Sequence, residues 1–172
     1  MEMTNVDEFL RYWERVRERT LRVAKVIPRQ EFEWSPREGA FSFADLLRHL
    51  AAAERFMFAE NAALRPSRYP GHGPELADGY DEVFSYLETC HRDAVEIFAR
   101  LAPEDLQKPT ATVGGGGITV WKWLRAMIEH EIHHRGQIYL MVGMIGVHPP
   151  QLYGLTEQEV RERSLPSAPA PS

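Results

Sequence analysis

The stretch Thr119-Val120-Trp121-Lys122-Trp123-Leu124-Arg125-Ala126-Met127-Ile128-Glu129-His130-Glu131-Ile132-His133-His134-Arg135-Gly136-Gln137-Ile138 decides how this chain is read. Thr119 is a candidate N-cap, and Gly146 and Pro149-Pro150 supply the stop, so a helix is expected from there to about Ile145. His130 and His134 are one turn apart and share a helix face. At about 100° per residue, that face also carries Trp123, Met127, Gln137 and Met141. The two imidazoles therefore lie in a largely apolar stripe. Two neutral imidazoles at this spacing can chelate one transition metal through their ring nitrogens.

A divalent site normally takes at least one more protein ligand, here from a facing helix. His49 is the candidate, with Leu46, Ala53 and Phe56 near its face. The alternative for His49 is a helix-surface histidine beside Arg48. His133 points about 100° away from His134 and reads as a flanking residue. His72, in Gly71-His72-Gly73, and His91 read as structural or exposed, and His148 has no evident partner.

Three further helical patterns extend outward from this stretch. Phe9, Leu10, Trp13, Val16, Thr20, Val23 and Ile27 recur at three- and four-residue steps. They predict a helix from about Val6 to Ile27, with Thr4 as N-cap and Pro28 as stop. Ser42, with Asp45 three residues on, opens a second helix reaching about Leu64. Val83, Phe84, Leu87, Val95 and Phe98 mark a third, from about Tyr80 to Leu101. Between the second and third, the Pro- and Gly-rich segment 66–79 could span ~46 Å extended, enough to return along a helix. The expected fold is all-α: a four-helix bundle with a long crossover between helices 2 and 3. It accounts for residues 1–150. Residues 151–172 read as a short extension, with one more short helix from about Thr156 and a disordered Pro/Ala/Ser tail from Ser164. No alternating run is long enough for a confident strand. Gly114–Gly117 reads as a hinge, since no Lys-Ser or Lys-Thr follows in the P-loop pattern.

Composition narrows the function classes. The 172 residues carry 20 basic and 25 acidic side chains, a formal net charge of −5. With 17 Arg and 3 Lys scattered among carboxylates, a nucleic-acid partner is not expected. The charge-free run from Gly136 to Thr156 is broken by Gly and Pro, so no membrane span is expected. The N-terminus lacks a signal-peptide pattern, which suggests a cytoplasmic protein. The single cysteine, Cys90, excludes an internal disulfide and reads as a small buried side chain rather than a nucleophile.

His130-Glu131-Ile132-His133-His134 literally satisfies H-E-x-x-H, in which the Glu activates zinc-bound water. A zincin-like hydrolase using Glu131 is therefore one expectation. The longer metzincin pattern fails, because Gln137 stands where it requires Gly.

A larger match competes with it. The segment from Thr119 to Ile138, ending in His134-Arg135-Gly136-Gln137, resembles the last bundle helix of the DinB/YfiT-like family. Phe41-Ser42-Phe43-Ala44-Asp45-Leu46-Leu47-Arg48-His49-Leu50 resembles that family's second helix. The resemblance implies one divalent metal (zinc, nickel, iron or manganese) held by His49, His130 and His134, with open positions. It implies a homodimer and a small-molecule substrate. Members with assigned chemistry include enzymes that transfer low-molecular-weight thiols and thiol-dependent isomerases. The leading expectation is thus a metal-dependent S-transferase using such a thiol on a small electrophile. The alternative is a non-catalytic metal-binding or stress-response protein. Gln137, Trp123 and Met127 are expected around the metal, and Arg135 is read as a surface or inter-helix charge.

Overall fold

The computed structural model describes residues 3–164. Its elements in order are α1 (Val6–Ala24), α2 (Phe43–Ala53), α3 (Ala59–Ala62), α4 (Tyr80–Phe98), β1 (Pro109–Ala111), β2 (Gly117–Thr119), α5 (Val120–Met144) and α6 (Glu157–Ser164). A π-helical turn, Glu54–Phe58, joins α2 to α3, so the two form one rod. The bundle consists of α1, this rod, α4 and α5. Within it, α1 packs mainly on α5 and α2 mainly on α4, and α2 also meets α5.

The starts of the helices follow local chemistry. The Asn5 side chain, not Thr4, caps α1 by accepting from the Glu8 backbone N–H. Ser42 and Asp45 form a full capping box at α2. Thr119 occupies the N-cap position of α5 without a capping side-chain bond, its hydroxyl being buried with no hydrogen-bond partner. The amphipathic stripes bury Phe9, Trp13, Val16 and Val23 from α1, Leu46, Leu47 and Leu50 from α2, Val83 and Leu87 from α4, and Leu124 and Ile138 from α5.

The long crossover is visible in its own contacts. Leaving α3, the chain bonds back to the Phe56 carbonyl at Arg68, reaches His49 at Tyr69, and gives its Ala77 carbonyl to the buried Arg48 guanidinium. The contacts run backward along the rod, so α4 starts beside the beginning of α2 and runs parallel to it.

Two sequence expectations are corrected. Gly114–Gly117 is not a hinge. It closes a small antiparallel hairpin in which Thr110 pairs with Ile118, and Gly115, at φ +80°, supplies the left-handed turn residue. The second helix is not a continuous α-helix to Leu64, since the π turn interrupts it. Residues 151–153 touch the bundle, where Arg22 donates to the carbonyls of Gln151 and Leu152 and Arg135 meets the Tyr153 hydroxyl, while α6 buries no residue. The expected disorder of the tail falls, beyond Ser164, on residues 165–172, outside the described residues.

Candidate metal centre

His49 projects from α2 toward α5, and His130 and His134 project from α5 toward α2. Their Nε2 atoms converge. His49 Nε2 lies 2.9 Å from His130 Nε2, and His134 Nε2 lies 3.1 Å from it. All three nitrogens fall within 4.8 Å of one another. Nitrogens at ~2.0–2.1 Å from a tetrahedral zinc would sit about 3.3 Å apart. The observed spacing therefore fits one first-row metal with little rearrangement. Three lone pairs this close repel one another unless a proton or a cation lies between them.

The outer ring nitrogens are held from behind. His134 Nδ1–H donates to Gln137 Oε1 at 2.6 Å. His49 Nδ1 pairs with the Tyr69 hydroxyl, also at 2.6 Å. With Nδ1 donating, Nε2 is left bare and aimed inward, the tautomer a metal needs. Burial and the neighbouring imidazoles push His130 down to about 3 and His49 down to about 4. His134 is lowered as well, chiefly by burial. All three are neutral at pH 7 and free to ligate.

An aromatic wall surrounds the cluster. The Phe58 ring lies 5.5 Å from His130 and 4.6 Å from Trp123. Phe41 lies 5.6 Å from His49. The π turn explains Phe58. Nine residues on from His49, it would face about 180° away in an uninterrupted α-helix. The extra residue of the π turn takes up roughly one residue's rotation and brings the ring round to His130. Met127 is buried in the adjoining apolar cluster with Phe58.

The other candidates separate from this group. The His72 ring lies 4.3 Å from that of Phe41, tilted by 41°, and 6.4 Å from that of His49. His133 is exposed and touches His134 by ring contact at 5.0 Å. His91 belongs to a different polar group, bonding Glu54 and Glu14. Cys90 is buried, and its thiol is pushed up to about 11, chiefly by burial, which removes its nucleophilic form.

Glu131 does not face the histidines, which corrects the zincin-like reading. It is 3 % exposed and points to α1, where Trp13 Nε1 donates to its Oε2 at 3.2 Å and Arg17 lies 3.7 Å from its Oε1. H-E-x-x-H places the Glu about 100° round the helix from the first His, and here that direction is the bundle interior. Arg135, 3 % exposed, is an inter-helix group that donates to the Val16 carbonyl at 3.3 Å.

Comparison with known proteins agrees with this architecture. No curated protein matches the chain. A DinB-like protein from Bacillus cereus ATCC 10987 superposes with a TM-score of 0.70 at 17 % identity, covering 87 % of this chain and 99 % of that one. YfiT from Bacillus subtilis, described as a probable metal-dependent hydrolase with an unusual four-helix bundle topology, superposes at 0.68 and 14 % identity, covering 86 % and 91 %. A mycothiol-dependent maleylpyruvate isomerase superposes at 0.56 and 15 % identity, covering 79 % of this chain and 63 % of that one. At these identities the likenesses show the fold. The DinB family model matches residues 1–165, and the chain belongs to the DinB family.

Proposed function

We propose that this protein is a metal-dependent enzyme that holds one divalent transition metal through His49, His130 and His134 and acts on a small molecule. The observation that carries the reading is the convergence of three neutral imidazole nitrogens from two helices onto one point. Three protein ligands leave open positions, and a metal held this way lowers the pKa of a thiol or water placed on it. The reaction class we favour is S-transfer from a low-molecular-weight thiol to an electrophile. Its support is twofold: the like-folded isomerase is named for its dependence on mycothiol, and Cys90 is unfit to supply a thiol from within.

The remaining residues have positioning roles. Tyr69 and Gln137 orient His49 and His134. Phe41, Phe58 and Trp123 keep water from one side of the cluster. Hydrolysis remains the second reading, supported by the description of YfiT. It cannot use Glu131 as base, since that carboxylate is committed to Trp13 and Arg17.

Among the described residues, no helix is long and apolar enough to cross a membrane. We place the protein in the cytoplasm as a homodimer. Exposed Tyr12, Ile132, Leu140 and Met144 on α1 and α5 offer the apolar surface a second copy would cover. Light scattering on the purified chain checks that state.

The test of function is a conjugation screen pairing several low-molecular-weight thiols with small electrophiles, with and without chelator. Turnover that chelator abolishes and added metal restores is expected. Metal-bound protein that turns over none of these pairs would favour the non-catalytic metal-binding reading.

A further inference from the structure

Beside the histidine cluster lies a second group of charges that the metal reading does not use. Glu60, 1 % exposed, receives three guanidiniums. Arg55 donates to its Oε1, Arg65 donates from Nε to Oε2 at 2.8 Å, and Arg68 donates to Oε1 at 3.0 Å. Burial works to raise the Glu60 carboxyl, but these bonds outweigh it and hold the pKa down. Asp93 also lies 3.9 Å from Arg55, so Arg65 and Arg68 have only a share of Glu60 for counter-charge, in a chain whose net charge is −5.

The surplus charge has a direction. The side chains of Arg65 and Arg68 are 50 % and 64 % exposed. Both line a cavity of about 750 Å³ between the end of α3, the start of the crossover and β1. That lining contains no carboxylate, and its Ser67, Thr110 and Thr112 hydroxyls are spent on the Phe56, Asn61 and Gly116 carbonyls, so the arginines are its anion-binding groups. Tyr69, whose hydroxyl meets His49 Nδ1, also lines it. One side chain therefore belongs to both the cationic cavity and the histidine cluster.

The arginines are also pre-set. Leu64 takes the left-handed conformation at φ +58°, and Arg65 N–H bonds back to the Glu60 carbonyl at 2.8 Å. Asn61 Nδ2 donates to the Arg65 carbonyl, and Arg68 N–H donates to the Phe56 carbonyl at 2.7 Å. Arg65 meets Glu60 with both Nε and Nη2, at 2.8 and 3.2 Å, and Arg68 with Nη2 alone, so Glu60 leaves Nη1 of Arg65 and both Nε and Nη1 of Arg68 to other partners. Guanidiniums held this way lose little further freedom on meeting an oxyanion, which they bind in a planar, two-pronged manner.

We propose that this cavity is an oxyanion-binding subsite, and that the small molecule handled at the histidine cluster carries a carboxylate or phosphate held by Arg65 and Arg68. The second half rests on the metal-site reading above. The first half stands on the arginines and the cavity alone.

The two halves are tested separately. Malonate and inorganic phosphate are titrated into the full chain, with neutral malonamide as control, following the arginine Nε–H resonances by NMR. Saturable shifts at Arg65 and Arg68 are expected with at least one anion, weakened at least tenfold by Arg68→Gln and absent with malonamide. Arg68→Gln leaves Arg55 and Arg65 on Glu60, and an unchanged thermal midpoint confirms its fold. No saturable shift with either anion, or equal binding by Arg68→Gln, overturns the subsite. Malonate alone identifies a carboxylate site, and phosphate alone a phosphate site.

For the second half, 3-mercaptopropionate and 3-mercaptopropanol are titrated into cobalt-loaded protein, reading the thiolate-to-cobalt absorption. The acidic thiol should bind at least tenfold tighter in the parent, an advantage lost in Arg68→Gln. Equal affinities in the parent break the link to the histidines. A parent that takes up no cobalt while still binding malonate at the arginines overturns the metal reading and leaves the anion site standing.

Discussion

On one side of α5, His130 and His134 meet His49 of α2. On the other, Glu131 and Arg135 meet α1. The two regions are neighbours in sequence and opposite in chemistry. The first gathers three neutral groups with no counter-charge, all with ring nitrogens aimed at one point. The second is a buried ion cluster: Arg17, 2 % exposed, lies 3.4 Å from Glu54 and 3.7 Å from Glu131 and donates to the Leu87 carbonyl. Its charges are neutralised by one another through ion contacts, although Arg17 Nη1 and Glu131 Oε1 find no hydrogen bond, whereas the three imidazole Nε2 atoms face only each other. A polar group inside a bundle is thus a ligand site or a structural tie according to whether its own neighbours satisfy it.

The sharpest way to break this contrast is Arg17→Met. It leaves two buried carboxylates without their cation, and a loss of about 3–5 kcal/mol in urea unfolding is expected, with metal content unchanged. Adding Glu54→Leu and Glu131→Leu to the same chain should return most of that loss. A cost below about 1 kcal/mol for the single change would mean that the cluster does not tie the helices.

His130→Ala should show the opposite profile. Metal affinity falls by more than about 100-fold, since even groups behind a ligand are worth 10–100-fold. The metal-free protein should lose no more than about 1 kcal/mol, because no charge is orphaned. Metal binding measured by competition with a chromogenic chelator, beside the unfolding curve, separates the two. Tyr69→Phe and Gln137→Leu should each weaken metal by about 10–100-fold while leaving one equivalent bound at saturation. An unchanged affinity in both would show that the ring nitrogens need no support.

The smallest effect is in pH. Burial lowers the His91 pKa, but bonds and charge from Glu54 and a bond from Glu14 more than reverse this, against Arg17, so it lies above its ordinary value. The stabilisation it gives is complete below the unfolded value of about 6.5 and is lost as pH rises through the folded one. The stability gap between parent and His91→Gln should therefore narrow from pH 6 to pH 9, starting at about 1 kcal/mol. A gap that widens with pH contradicts the assignment of His91 to the ion cluster.

Much of this was legible in the sequence because it is periodic. The helix stripes, the Ser42–Asp45 cap and the Gly146 stop follow from local rules. The one-turn spacing of His130 and His134 needs only the helix repeat. Other features depend on partners remote in sequence. Nothing in Glu131-Ile132-His133 says that Trp13 will claim the carboxylate. Nothing local to Arg48 or Arg17 says that the crossover and α4 will supply carbonyls to their guanidiniums. The hairpin strands, at three residues each, are too short to show alternation. The π turn shifts the helix phase by one residue in a segment, Glu54–Phe58, whose aromatics suit either phase.

The most direct test is the metal content of three purified chains, measured by elemental analysis after identical expression: the parent, His49→Ala and Glu131→Gln. His49 and Glu131 lie at equal risk in a motif-based reading, yet only His49 faces the other two nitrogens. About one equivalent of a first-row divalent metal is expected in the parent and in Glu131→Gln, and a small fraction of that in His49→Ala. A His49→Ala chain that keeps its metal, or a Glu131→Gln chain that loses it while remaining folded, would contradict the three-histidine centre.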